Sequence, residues 1–138
     1  MPKPREIAVK SQDSEKITIN LGYVDLGHID LLVQDGFYAN RTDFIRTAIR
    51  NQLGRHDDAV SKSVARQQLD LGLRRYTREQ LEALRDAGES LHIQILGLAV
   101  IAPDVSPELA RATIGSIRVL GALQASPDVK AALGDRIR

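Results

Sequence analysis

The chain has 138 residues, a formal net charge of +1, 43% hydrophobic residues and no cysteine. This length allows one medium domain or two small ones, and the absence of cysteine excludes disulfides, thiolate metal sites and a cysteine nucleophile. A net charge near zero counts against a large nonspecific nucleic-acid binder. Because no run is apolar over the length of a membrane span and no apolar segment follows the first residues, we predict a cytoplasmic protein without a secretory signal or membrane contact.

The first fourteen residues are polar and are interrupted by Pro2 and Pro4. Terminal segments of this composition are usually untied from the fold, so residues 1–14 are predicted to form a flexible arm. Its basic residues leave open a second interpretation, in which the arm contacts DNA phosphates.

Residues 16–21 alternate between polar and apolar side chains, which is typical of a half-buried strand. The polar face carries Lys16, Thr18 and Asn20, and the apolar face carries Ile17, Ile19 and Leu21. Because a lone strand of six residues cannot fold by itself, this pattern suggests pairing with the same strand of another chain.

Two helical patterns follow the predicted strand. The first covers residues 23–35 and is ended by Gly36, a residue common at helix C-termini. The second begins after Asn40, a good N-cap, and Asp43 is placed to complete a capping box with Asp instead of the usual Glu. The apolar stripe of this helix continues to Leu53, and Gly54 is predicted to end it.

The order of these elements over residues 15–53 resembles the ribbon-helix-helix DNA-binding module of the Arc, MetJ and CopG type. The resemblance implies an intertwined dimer whose two strands pair antiparallel and enter the DNA major groove. It implies a core shared by both chains, formed by Ile17, Ile19, Leu21, Leu26, Ile29, Leu32, Phe44, Ile45, Ala48 and Ile49.

The same resemblance implies two sets of DNA contacts. Base contacts would come from the polar strand face, Lys16, Thr18 and Asn20, since Lys can donate to guanine, Asn can pair with adenine and Thr suits several base edges. Phosphate contacts would come from the start of the second helix, at Asn40, Arg41 and Thr42, where free N–H groups and the helix dipole favour an anion.

The second half of the chain contains an internal repeat. Residues 93–97 recur as residues 117–121, and residues 103–105 recur as residues 127–129, both at an offset of 24. A further step of 24 towards the N-terminus suggests a degenerate first unit without the glycine and the proline. Each unit is predicted to hold a short strand, a turn at Pro-Asp and a short helix, as in a solenoid.

Helix starts in these units are predicted from their caps. Thr77, Ser106 and Ser126 are plausible N-caps, and Pro107 and Pro127 suit first helical positions. A competing prediction is one long helix over residues 107–125, because the apolar residues there also fit helical spacing.

No side-chain cluster predicts catalysis or metal binding. Nickel-responsive repressors share the DNA module and place clustered His and Cys ligands in the C-terminal domain, whereas here that domain has only His92. Asp104 and Asp128 occupy equivalent repeat positions, and bonding to the turn backbone explains them better than acid–base chemistry. We therefore predict no metal, no cofactor and no enzymatic activity.

These patterns combine into an α+β chain with four segments: the arm 1–14, a ribbon-helix-helix domain 15–54, a linker or weak helix 55–66, and a solenoid-like repeat domain 67–138. The predicted function is a sequence-specific transcriptional regulator, a repressor or autoregulator, that binds double-stranded DNA as a dimer or higher oligomer. Two alternatives remain open. One is an antitoxin-like protein whose C-terminal half binds a toxin, and the other is a self-assembling scaffold anchored to DNA.

Overall fold

The computed structural model describes residues 14–138, so the predicted arm, apart from Ser14, lies outside the described residues. Within that range the chain has six helices and three strands, a mixed composition that agrees with the predicted α+β class. The chain divides into two compact units whose described parts are Ser14–Ser63 and Val64–Arg138.

The N-terminal unit contains two helices at the predicted places. Helix α1 spans Tyr23–Gln34, and Gly36 follows it with a positive φ of 88°. Helix α2 spans Arg41–Arg55, so it passes the predicted end at Gly54 by one residue. Residues 14–22 lie outside any helix or strand in the single chain, and the predicted strand 16–21 therefore stays a prediction that needs a second chain.

A third helix, α3, spans Asp57–Gln67 and crosses the boundary between the two units. It occupies most of the segment 55–66, for which the sequence left open a linker or a weak helix. Its first turn carries Asp57 and Asp58 and its last turn carries Arg66, an order of charges that complements the helix dipole.

The C-terminal unit alternates strands and helices along the chain. The elements are β1 (Asp70–Tyr76), α4 (Arg78–Ala87), β2 (Leu91–Ile101), α5 (Pro107–Thr113), β3 (Ile114–Gln124) and α6 (Pro127–Ala132). The three strands form one parallel sheet in the order β1-β2-β3. The competing prediction of a long helix over residues 107–125 is wrong, because the helix stops at Thr113 and the chain continues directly into a strand that pairs with β2.

The register of the sheet explains the sequence repeat and corrects one detail of it. Ile93 lies opposite Ile117 and Gly97 lies opposite Gly121, which is the offset of 24 seen in the sequence. Between β1 and β2 the offset is one residue longer, so Gly72 lies opposite Gly97. The first unit therefore has the glycine that a strict step of 24 had missed.

The predicted helix caps are all present. The side-chain oxygens of Thr77, Ser106 and Ser126 each accept a hydrogen bond from the backbone N–H three residues on, at 3.2, 3.1 and 3.2 Å. Pro107 and Pro127 are the first residues of α5 and α6, where a missing N–H costs nothing.

The Pro-Asp repeat, in contrast, does not mark equivalent turns. Pro103 and Asp104 lie in a turn before α5, whereas Pro127 and Asp128 are already inside α6. The equivalent helix starts are Ser106 and Ser126, because each caps its helix in the same way. Asp104 lies 3.8 Å from the Arg78 guanidinium at the start of α4, so a surface ion pair describes it better than a turn-bonding role.

The core of the C-terminal unit lies between the sheet and its helices. Its fully buried members include Leu81 from α4, Ile93 and Ile95 from β2, Ile117 from β3 and Leu133 just after α6. Helix α5 packs against both α4 and α6. The three helices therefore cover the same face of the sheet.

Candidate nucleic-acid interface

The three predicted base-contacting residues lie in the segment that precedes α1. Lys16, Thr18 and Asn20 are all exposed, and so are the apolar residues between them, with Ile17 at 72% and Ile19 at 60%. If this segment formed a strand with a second chain, its apolar side chains could be buried against the two chains. Its polar side chains would then remain exposed on the opposite face of the strand.

The start of α2 has the capping arrangement that the sequence predicted, with one difference. The Asn40 side-chain oxygen accepts a hydrogen bond from the backbone N–H of Asp43 at 2.8 Å. The Asp43 carboxylate accepts from the N–H of Ala39 at 2.9 Å, so it reaches one residue further back than a standard capping box. The N–H groups of Arg41 and Thr42 have no acceptor within the helix, and they lie at the positive end of the helix dipole.

Arg41 has a partner that the sequence did not reveal. Its guanidinium donates two hydrogen bonds to the Asp30 carboxylate of α1, from Nε and Nη2, each at 2.8 Å. These hydrogen bonds, followed by the charge of Arg41, lower the pKa of Asp30, and the pKa of Arg41 is raised in turn. The ion pair connects α1 to α2 and occupies the Arg41 guanidinium. The backbone N–H of Arg41, in contrast, stays available to an anion at the start of α2.

Eight of the ten residues predicted for the shared core line one open groove in the N-terminal unit. The groove has a volume of about 410 Å³, and only two of its lining residues, Asp25 and His28, are polar. The predicted core residues in it are Ile19, Leu21, Ile29, Leu32, Phe44, Ile45, Ala48 and Ile49. Of these only Ile29 is buried in the single chain, so the groove presents apolar surface that a second chain would cover.

Aromatic contact shapes the turn between α1 and α2. The rings of Tyr38 and Phe44 meet edge to face with centroids 5.0 Å apart and planes at 85°. This geometry is favourable for aromatic pairs, and it places Phe44 at the groove wall.

Two further arginines extend along α2. Arg46 and Arg50 are exposed, and neither forms an ion pair with another residue in the described part of the chain. They add positive charge to the helix whose start is the predicted phosphate contact.

The histidines do not come together. His92 is exposed on β2, and its Nδ1 lies 2.8 Å from the Ser116 hydroxyl on β3. Among residues 14–138 there is no group of three or more His, Cys, Asp or Glu side chains that could hold a metal ion. None of the helices described is long and apolar enough to cross a membrane.

Comparison with protein families gives one finding. A family model described as the ribbon-helix-helix transcriptional regulator family matches residues 12–130. The match therefore covers most of the chain, from before the predicted strand into α6. Searches of curated proteins and of solved structures found no significant match.

Proposed function

The chain belongs to the ribbon-helix-helix transcriptional regulator family, and we propose that it is a sequence-specific DNA-binding regulator that acts as a homodimer in the cytoplasm, most simply as a repressor or autoregulator. The observation that carries the proposal is the extent of the family match, which includes the DNA-binding module and nearly all of the repeat unit. The family itself implies DNA binding and dimerisation.

Dimerisation is proposed to use the segment 16–21 and the apolar groove together. The segment of each chain pairs antiparallel with its copy, and the apolar side chains Ile17, Ile19 and Leu21 turn towards the grooves of both chains. The exposure of these residues in the single chain supports this arrangement, because burying them is favourable at about 25 cal/mol per Å² of apolar area.

DNA recognition is proposed to divide between two parts of the module. Lys16, Thr18 and Asn20 contact base edges in the major groove, since a two-stranded ribbon fits there and these side chains match its donor and acceptor groups. Asn40, Arg41 and Thr42 hold a backbone phosphate at the start of α2, mainly through free N–H groups, and fix the register of the ribbon on the duplex.

The C-terminal unit is proposed to be a short solenoid-like domain that serves association rather than DNA contact. The parallel register of its three strands and the one-sided placement of its helices support this reading.

Selection of bound sequences from random duplex DNA tests the proposal. We expect enrichment of a site with two symmetric halves, because a symmetric dimer presents the same contacts twice. The selection is carried out with the full chain at near-physiological salt, since low salt inflates nonspecific binding. Recovery of random sequences by a protein that is folded and dimeric would contradict the proposal.

A further inference from the structure

One face of the C-terminal sheet is apolar, and among residues 14–138 the three helices that contribute to the core of this unit lie on the other face. Side chains on a strand alternate between faces, so the residues between the core positions point away from α4, α5 and α6. The register places them in two rows across the strands, one of Leu71, Leu96 and Leu120 and one of Leu73, Leu98 and Ala122. We call these six residues the leucine face.

The leucine face is partly open to solvent: three of its residues are exposed, and Leu96, Leu98 and Ala122 are half-buried. Leu71 is 67% exposed, Leu73 53% and Leu120 46%. Parallel sheets are normally covered on both faces, and their strands are accordingly apolar on both faces. Strand β2, with Leu96 and Leu98 on this face and Ile93 and Ile95 on the other, has the composition of a strand that is buried on both sides.

Polar residues border the leucine face and leave its centre uncharged. By register, Gln94 and Arg118 lie at one end of the strands, and Arg75 and Gln124 flank the buried Val100 at the other. An apolar centre with a polar rim is the usual composition of a protein interface.

We propose that the leucine face packs against the leucine face of a second copy of this chain. The inference rests on the proposed dimer, which brings two C-terminal units together. It adds a second, homotypic contact between the chains that is separate from the ribbon.

The size of the face favours a tethered copy over a freely diffusing partner. Three strands about 4.8 Å apart, each with two face residues about 6.6 Å apart along the strand, give a face of about 190 Å². A standard stable interface uses about 800 Å² on each partner, so this face alone would hold a free protein only weakly. A copy joined through the N-terminal units is present at an effective concentration in the millimolar range, where a weak contact is populated.

The sheet edge next to β3 is partly closed, so fewer of its backbone groups are free to pair with a strand from another chain. The backbone N–H of Ile117 donates to the carbonyl of Arg136 at 2.9 Å, and the N–H of Arg138 donates to the carbonyl of Ile117 at 2.8 Å. Arg111 holds this last segment through two hydrogen bonds to the Asp135 carboxylate, at 2.8 and 3.3 Å. Part of the edge that another strand could extend is thus already paired.

Thiol cross-linking of the full chain tests the inference, since the absence of cysteine makes any introduced cysteine unique. Leu98→Cys lies on the central strand, and the middle of a two-fold interface lies next to its own copy. A bismaleimide that spans about 10 Å matches the separation of stacked sheets. Ala112→Cys, exposed on α5, is the matched control, and Leu96→Cys supplies a second site if Leu98→Cys does not fold.

We expect the cross-linked fraction of Leu98→Cys to exceed that of Ala112→Cys by at least about tenfold, given the tethered copy. Adding Leu73→Lys with Leu120→Lys should lower it to the control level, because charges in a closed apolar contact are strongly unfavourable. Adding Ala83→Lys with Ala131→Lys, on exposed helix positions, should leave it unchanged.

Equal cross-linking of Leu98→Cys and Ala112→Cys would overturn the inference, and so would cross-linking that the two lysines on the leucine face do not reduce. Light scattering and DNA binding on the same samples separate this failure from failure of the proposed function. If the protein is a dimer and binds its selected DNA but does not cross-link, the proposed function stands and the leucine faces do not pair. The leucine face would then be available to a different protein. A monomer that binds no DNA overturns both.

Discussion

At the scale of single residues, Arg41 shows how a predicted contact changes once its surroundings are known. The resemblance to the family placed Arg41 at a DNA phosphate, and its position after the Asn40 cap agrees with that role. The structure adds Asp30, eleven residues earlier, which accepts two hydrogen bonds from the guanidinium. Nothing in the local pattern of the sequence links an acid on α1 to a base on α2, because the pairing depends on how the helices pack.

Replacing Asp30 by Asn should free the Arg41 charge for DNA. We expect Asp30→Asn to strengthen nonspecific DNA binding and to steepen the dependence of log K on log salt concentration by about 0.9 for each Arg41 that gains a phosphate. Fluorescence anisotropy titrations over a range of salt concentrations measure this slope. Asp58→Asn is the matched control, since it removes the same charge from an exposed ion pair with Lys62 on α3. Equal slopes for both variants would show that Arg41 does not reach DNA.

The same pair sets a direction for the effect of pH on stability. Because hydrogen bonds from Arg41 lower the pKa of Asp30, the pair stabilises the fold above the ordinary pKa of Asp, and this contribution is lost as the pH falls through the lowered value. The contribution is small, since both side chains are about half exposed. Asp30→Asn should remove this acid-side dependence and slightly lower the stability at neutral pH, where the pair contributes in full.

At the scale of elements, the three strands are held in register by a row of glycines. Gly72, Gly97 and Gly121 lie opposite one another and have positive φ values of 116°, 140° and 122°. A Cβ on Gly97 would collide with the carbonyl oxygen of Gly72, and one on Gly121 would collide with that of Gly97. Glycine is therefore needed both for the backbone conformation and for the close approach of neighbouring strands.

Gly97→Ala should destabilise the C-terminal unit by more than about 2 kcal/mol, from backbone strain and the collision with Gly72. Chemical denaturation of the full chain, followed by circular dichroism, measures the change. Gly54→Ala is the matched control, because Gly54 lies in α2 with open space around its Cβ position. That substitution should stabilise the N-terminal unit by about 0.5–1 kcal/mol. If Gly97→Ala lowered the free energy of unfolding no more than Gly54→Ala does, the proposed role of the glycine row would be wrong.

The elements also show which parts of the fold the sequence could predict. The helix starts at Asn40, Thr77, Ser106 and Ser126 were predictable, since a cap acts through neighbours three residues away. The one-residue shift between the first and second units was not, because Gly72 is identified only by its pairing with Gly97. The leucine face was also missed, although the apolar residues on both faces of β2 were a signal that both faces are covered.

At the scale of the whole molecule, the groove of the N-terminal unit leaves apolar surface that a second chain could cover. Ile19 lines the groove yet is 60% exposed in the single chain, and only Ile29 among the groove residues is buried. The pairing of two ribbons stays a prediction that rests on the family resemblance, because a six-residue alternation does not reveal its partner.

The stability of the N-terminal unit should therefore depend on protein concentration. A hundredfold increase should add about 2.7 kcal/mol to the free energy of unfolding per dimer and raise its melting midpoint. Ile19→Asp should weaken the dimer and shift this dependence to higher concentration. Tyr23→Asp is the control, since Tyr23 is 91% exposed and does not line the groove. A midpoint that is independent of concentration in calorimetry would contradict the shared core.

If two copies of the segment 16–21 contact DNA bases, repeating the DNA selection with Asn20→Ala should change the selected site. We expect base preference to relax at one position in each half of the site, symmetrically, at a cost of about 1–3 kcal/mol for the original base. The matched variant Asn51→Ala, at an exposed position on α2, should select the original site. An unchanged preference for folded, dimeric Asn20→Ala would show that the Asn20 side chain does not read the bases.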